Sequence, residues 1–275
     1  MVHQTYAWVN SRGQKIFSQC WIADHPRAMI CHFHGQSDHS SRFAHVAEFF
    51  AANNITFLAS DFQGHGLSDG KRGHVNKFYE YIETVEMVYR EATGLFPGLP
   101  VFIYGHSMGG NICINHAFIA KEQIKGYIIT SPWIRLAFEP PAWKIALGKT
   151  VKSILPSLQQ PTGLDPSLIS HDKQVVEKYK TDKLVHGKIT ASGFFEILTY
   201  GKNILLNADR LHFPMLLLHG TADGITDYKA SREFAALRPD LITYKEFEGL
   251  FHELHNEPEK QQVFDTMLNW INKKI

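Results

Sequence analysis

The chain has 275 residues, enough for one α/β domain with an insertion or for two small domains. With 44% hydrophobic and 20% charged residues its composition is that of a globular protein. A formal net charge of +1 and no basic block exclude a nucleic-acid footprint. From the N-terminus, Tyr6–Asn10 and Lys15–Ile22 predict two strands joined by Ser11-Arg12-Gly13-Gln14, an antiparallel hairpin. Ala28–His34 predicts a third strand, and Arg42–Ala52 a helix with Phe43, Val46, Ala47 and Phe50 at helical spacing. Strand Ile55–Asp61, helix Tyr79–Thr93, strand 101–105, a helix from Met108 to Ala120 and strand Tyr127–Thr130 follow. The rhythm breaks after Ser131-Pro132 and resumes with strand Met215–His219, helix Ala230–Ala236, strand Ile242–Phe247 and a closing helix over Glu259–Asn272. Alternation of this kind predicts parallel βαβ units with helices on both sheet faces. Residues 133–211 carry aromatics, prolines and amphipathic stretches without strand signals, so they predict a helical cap inserted into a core of 1–132 and 212–275.

The run Val101-Phe102-Ile103-Tyr104 leads into Gly105-His106-Ser107-Met108-Gly109, and a helical pattern follows at once. Strand, sharp turn and helix are the context in which Gly-x-Ser-x-Gly holds a nucleophilic serine with its hydroxyl above the sheet edge. The same pattern recurs at Gly66-Leu67-Ser68-Asp69-Gly70, but no apolar helix opens there, so Ser68 reads as part of a glycine-rich surface loop.

A serine nucleophile needs a base, and the base needs an orienting acid, here in chain order serine, acid, histidine. Asp223 stands just beyond strand Met215–His219, where catalytic groups collect at the carboxyl ends of parallel strands. Its neighbour Asp227 reads better as a helix N-cap. In Gly249-Leu250-Phe251-His252-Glu253-Leu254-His255, His252 is the candidate base, and His255 reads as a solvated residue on the approach to the last helix. An oxyanion hole needs two donors, and the backbone N–H groups of Met108 and Gln36 are placed to supply them. His34, Gly35, His106, Trp133 and Trp143 are candidate substrate-binding residues. Sixteen histidines invite a metal, and His32 and His34 alternate at a strand end. No ligand motif groups them, so no metal and no cofactor are expected.

These segments resemble a known family. His34-Gly35-Gln36-Ser37-Asp38-His39-Ser40-Ser41-Arg42-Phe43 is similar to the His-Gly loop of the monoacylglycerol lipase and lysophospholipase family of α/β-hydrolases. Asp61-Phe62-Gln63-Gly64-His65-Gly66-Leu67-Ser68 resembles its Asp-x-x-Gly-His-Gly-x-Ser segment, and Gly105–Gly110 resembles its elbow. Leu218–Asp223 and Glu248–His255 resemble its acid and histidine loops. Ser37 and Asp38 stand where members often have glycine and glutamate. The resemblance implies an α/β-hydrolase fold, with a mostly parallel sheet, an antiparallel N-terminal hairpin and a cap before the acid-bearing strand. It also implies a serine esterase releasing a fatty acid from a single-chain lipid.

Monoacylglycerol is the expected substrate. A lysophospholipase, thioesterase or general carboxylesterase would use the same residues, and a slow or non-catalytic ligand receptor is the alternative of another class. In the cap, Pro140–Leu147 predicts a helix whose Ala142, Trp143 and Ala146 either roof an acyl channel or rest on a bilayer. Gly193–Leu198 invites the same two readings. Cys20, Cys31 and Cys113 lie in apolar segments and read as buried reduced thiols. With no run near the ~18 apolar residues of a membrane span and no signal-peptide pattern at Met1–Tyr6, a cytoplasmic protein is expected, at most peripheral at a membrane.

Overall fold

A computed structural model describes residues 1–275. Its first strands, β1 (Val2–Val9) and β2 (Lys15–Ile22), form the expected hairpin, with β1 starting four residues earlier than the apolar pattern of Tyr6–Asn10 indicated. Polar residues Gln4 and Thr5 are tolerated there because β1 is an exposed edge strand. Then come β3 (Ala28–Phe33), α1 (Ala44–Ala52, preceded by a 3₁₀ turn over Ser40–Phe43), β4 (Ile55–Ser60) and α2 (Tyr79–Leu95). After them run β5 (Val101–His106), α3 (Met108–Ala117) and β6 (Ile124–Thr130). The chain ends with β9 (Met215–Gly220), α7 (Tyr228–Leu237), β10 (Ile242–Phe247) and α8 (Lys260–Asn272).

The eight strands form one sheet in the order β1-β2-β4-β3-β5-β6-β9-β10. β2 pairs antiparallel with β1 and β4, and every other pairing is parallel. Parallel strands buried on both faces carry apolar side chains at successive positions, as Ala28-Met29-Ile30-Cys31 does. Met29, Cys31 and Phe33 point to one face, where Ile103 packs with Val85, Ile112 and Phe234 of the helices α2, α3 and α7. Ala28 and Ile30 point to the other, with Phe102 and Tyr104 against Val46 and Phe50 of α1 and Val263 and Met267 of α8. All three cysteines are buried and free.

Between β6 and β9 lie α4 (Ala142–Ile154), β7 (Gln159–Pro161), α5 (Lys173–Thr181), β8 (Lys188–Thr190) and α6 (Ala191–Leu206). The segment is mainly helical, but β7 and β8 pair antiparallel over three residues, too short to leave a strand pattern in the sequence. α6 joins the main core through Ile197 and Ile204, and Asn111 Nδ2 of α3 donates to the Trp133 and Ile197 carbonyls. α4 has no buried residue.

Candidate active site

Ser107 sits between β5 and α3 with φ 55° and ψ −115°, a strained conformation for a residue with a Cβ. Its backbone is pinned on both sides. Its N–H donates to the Thr130 carbonyl at 3.0 Å, and its carbonyl accepts from Asn111 and Trp133. Close packing explains the flanking glycines: a Cβ on Gly105 would overlap the Gly109 carbonyl, and one on Gly109 the Phe33 carbonyl.

Ser107 Oγ lies 3.0 Å from His252 Nε2, and His252 Nδ1 lies 2.7 Å from Asp223 Oδ2. All three residues are buried. The geometry has Ser107 O–H donating to Nε2 and Nδ1–H donating to the carboxylate. Asp223 is held by more than His252. Its Oδ1 accepts the N–H groups of Ile225 and Thr226 at 2.8 and 3.0 Å, and its Oδ2 also faces His219 Nε2 at 3.0 Å and the Thr226 hydroxyl at 2.9 Å. Burial pushes the Asp223 carboxyl up, but the charge of His252 and the hydrogen bonds from His219 and His252 overrule it and hold the group far below the usual carboxylate range. Burial likewise pushes His252 down, and the Asp223 charge with its hydrogen bond outweighs this, so the imidazole is raised above its ordinary value. The loop carrying His252 is anchored by the Ser131 hydroxyl, which donates to the His252 carbonyl at 2.8 Å. It is anchored also by buried Glu257, which accepts the Phe251 N–H at 2.7 Å.

Gly35 packs against Ser107, so that a Cβ on it would stand 3.6 Å from Ser107 Oγ. His34 organises this loop. Its Nε2 accepts the Phe62 N–H at 3.0 Å, so Nδ1 carries the proton and donates to the Gly35 carbonyl at 2.7 Å. In a trans peptide that carbonyl and the Gln36 N–H point in opposite directions, so His34 aims the Gln36 donor. The Gln36 N–H has no protein acceptor, and Met108, as the first residue of α3, has no intrahelical acceptor for its own. Asp61 ties this loop to the glycine-rich loop after β4, accepting from the N–H groups of Ser40 and Leu67.

A cavity of about 690 Å³ opens above Ser107. Gly35, Gln36, His106 and His252 line its floor, and Trp133, Trp143, Leu147, Phe194 and Phe195 its apolar walls. His34 does not line the cavity, contrary to its reading as a substrate-binding residue, because both ring nitrogens are engaged in the scaffold. His106 is neutral: burial, then the nearby His252, pushes it down to about 3.

Two other residues stand differently from the sequence reading, Asp227 stands as read, and one group was missed. His255 is fully buried, its ring stacked on Phe43 at 4.3 Å, rather than solvated. Ser68 is buried as well, not on a surface loop. It accepts the Phe17 N–H and donates to the Asp61 carbonyl, 2.8 and 2.7 Å. Asp227 is the N-cap of α7. His32 is packed among Phe43, Phe57 and Tyr104 with neither nitrogen bonded. The missed group is at the cavity edge. Arg42 donates to Asp38 at 2.9 Å and, bidentately, to Glu253 at 2.8 and 2.6 Å, and it stacks on Tyr179. Asp38, Glu253 and Tyr179 reach the cavity wall. The signal for it was Asp38 four residues before Arg42, both beside the oxyanion loop. The partner Glu253 comes from 211 residues away and only the fold supplies it.

The family model described as Serine aminopeptidase, S33, matches residues 24–259. An uncharacterized abhydrolase domain-containing protein of Dictyostelium discoideum is 35% identical over 253 residues, 91% of this chain, and the chain spans 27% of that protein. A monoacylglycerol lipase of Mycolicibacterium smegmatis is 30% identical over 262 residues, covering 94% of this chain and 93% of the relative. Among solved structures, a monoacylglycerol lipase from Paleococcus ferrophilus superposes with a TM-score of 0.85 at 28% identity, covering 100% of both chains. The chain therefore belongs to the serine aminopeptidase S33 family, among the α/β-hydrolases similar to monoacylglycerol lipases.

Proposed function

We propose that the chain is a serine esterase that cleaves monoacylglycerol to glycerol and a fatty acid through an acyl-enzyme. The observation that carries this is the Ser107–His252–Asp223 relay on the floor of a roomy, largely apolar cavity. Ser107 Oγ attacks the ester carbonyl while His252 Nε2 takes its proton. The carbonyl oxygen, now negative, accepts from the N–H groups of Gln36 and Met108. The imidazolium, steadied by Asp223, returns the proton to the glycerol oxygen as the ester bond breaks. Water, activated by the same imidazole, then releases the fatty acid and restores Ser107. The relatives named for monoacylglycerol hydrolysis support the substrate.

The polar end of the cavity supports a neutral head. Arg42 is the only cation of its cluster, and two carboxylates already engage it. The group thus carries a net negative charge at the cavity wall, which opposes a phosphate. We place the lipid tail under residues 133–211, acting as a cap, and α4 against a lipid surface, since its Trp143, Leu147 and Ile154 are 65, 57 and 71% exposed. No helix is long and apolar enough to cross a membrane.

The test compares monoacylglycerol with lysophosphatidylcholine of equal chain length, both below their micelle concentrations. The glycerol ester should be turned over at least about tenfold faster, since an unpaired or opposed buried polar group costs ~1–3 kcal/mol. Preference should climb gradually with chain length, at most roughly fourfold per methylene. A tenfold preference for the phospholipid would overturn the assignment in favour of a lysophospholipase, and rates confined to short soluble esters would make it a general carboxylesterase.

A further inference from the structure

Away from the cavity, at the far end of α3, one ring nitrogen of His116 and one carboxylate oxygen each from Glu86 and Glu122 lie within 4.8 Å of one another. Glu86 is on α2, His116 in the last turn of α3, and Glu122 in the turn leading to β6. His116 is completely buried. Its Nδ1 is taken by the Tyr127 hydroxyl at 2.9 Å, while its Nε2 is buried with no partner at all. A buried imidazole nitrogen without a partner, beside two carboxylates that form no salt bridge, is a costly arrangement if left unoccupied.

We infer that Glu86, His116 and Glu122 form a binding site for a divalent transition-metal ion of the zinc class. One imidazole and two carboxylates are a ligand set that zinc accepts, with bonds of about 2.0–2.2 Å and a fourth position left to water. Such bonds need ligand atoms about 3.4 Å apart in a tetrahedron. The observed spacing closes to that by rotation of the two half-exposed glutamate side chains, while His116 stays where the core holds it. With a metal on Nε2 the proton of His116 would sit on Nδ1, and the Tyr127 hydroxyl, 2.9 Å away, would accept it and orient the ring. The Lys121 N–H engages only Oε2 of Glu122, at 2.8 Å, so the other carboxylate oxygen stays available to an ion.

The ion would clamp α2 to the corner between α3 and β6. It would lie roughly 13 Å along α3 from Ser107, nine residues at about 1.5 Å each, so its effect falls on stability and not on turnover. The inference is independent of the proposed substrate.

The test titrates Zn²⁺ into the chelator-stripped full chain by calorimetry, beside the E86Q/E122Q double variant. Both glutamates are partly exposed, so the variant folds, which ester turnover and circular dichroism check. The wild type should show one saturable site that the double variant lacks or binds at least ~100-fold more weakly. Zinc at about 100 times its dissociation constant should raise the wild-type Tm by roughly 5 °C and leave the variant unmoved. Equal stoichiometry and affinity in the two proteins would place the ion on other histidines and overturn the site. So would the lack of any saturable binding up to about 1 mM. In a zinc-soaked crystal, the anomalous peak should fall beside His116 Nε2, and a peak only at His252 would overturn it.

Discussion

At the scale of single residues, two serines in the same five-residue pattern have parted company. Ser107 meets an imidazole at 3.0 Å, and Ser68 spends its hydroxyl on two backbone groups. Ser107→Ala should therefore cut kcat by roughly 10⁴-fold or more without loss of fold. Ser68→Ala should keep its turnover and lose about 1 kcal/mol of stability with the buried bonds, read by urea unfolding beside ester hydrolysis. An inactive Ser68→Ala with an active Ser107→Ala would reverse the roles. The raised His252 sets a second expectation. The imidazole acts as a base only when neutral, and the Asp223 anion favours its charged form. The acid limb of kcat/KM should thus fall above the ordinary histidine value of about 6.5. Asp223→Asn should lower the rate by ~10⁴ and move the residual limb to lower pH, because the stabilising charge is gone. A limb below 6 in the wild type, or one that Asp223→Asn leaves in place, contradicts this pairing.

At the scale of elements, α4 is the outlier. Every core helix buries an apolar stripe, whereas α4 buries none and exposes Ile154 at its end with Leu155 beside it, 71 and 57% accessible. If this face lies on lipid, Ile154→Ser combined with Leu155→Ser should weaken binding to phosphatidylcholine vesicles by at least ~10-fold. Neither residue lines the cavity, so hydrolysis of a short soluble ester should be unchanged. Cosedimentation that does not differ between the two proteins removes the membrane role from this helix. The elements also show why sequence boundaries drift. The amphipathic pattern of Arg42–Ala52 merges a 3₁₀ turn with the helix that follows, since Phe43 is buried in either geometry.

At the scale of the whole molecule, the burial of many neutral histidines sets the response to acid. His106 is held down to about 3, and His32, His65 and His255 are also depressed, each chiefly by burial. The unfolded chain binds these protons near pH 6.5 and the folded chain does not. Their stabilisation is thus complete above about 6.5 and is lost as the pH falls toward their folded values. His106 alone contributes a slope of about 1.4 kcal/mol per pH unit between 6 and 4, and the other three add in the same sense. His252, raised rather than depressed, changes its charge on folding only above about 6.5 and does not offset the loss. Urea midpoints should drop steeply from pH 7 to 5, well before carboxylates titrate. A flat profile down to pH 4.5 would mean that these imidazoles are not buried as drawn.

The chain's local patterns were enough to reveal the strand–turn–helix around Ser107, the α/β alternation and the candidate positions Asp223 and His252. Each depends on neighbours in sequence: a glycine where two backbones touch, apolar runs where strands are covered on both faces, a loop at the end of a strand. Tertiary structure alone decided what depends on distant partners. His255 differs from His252 by three positions, and only the packing of Phe43 against it makes it core. The clamp of Glu253 on Arg42, the hold of His34 on the Gly35 peptide and the meeting of Glu86 with His116 join segments whose spacing carries no period and no motif. Such contacts arise from how the layers are stacked, and a one-dimensional pattern does not contain that information.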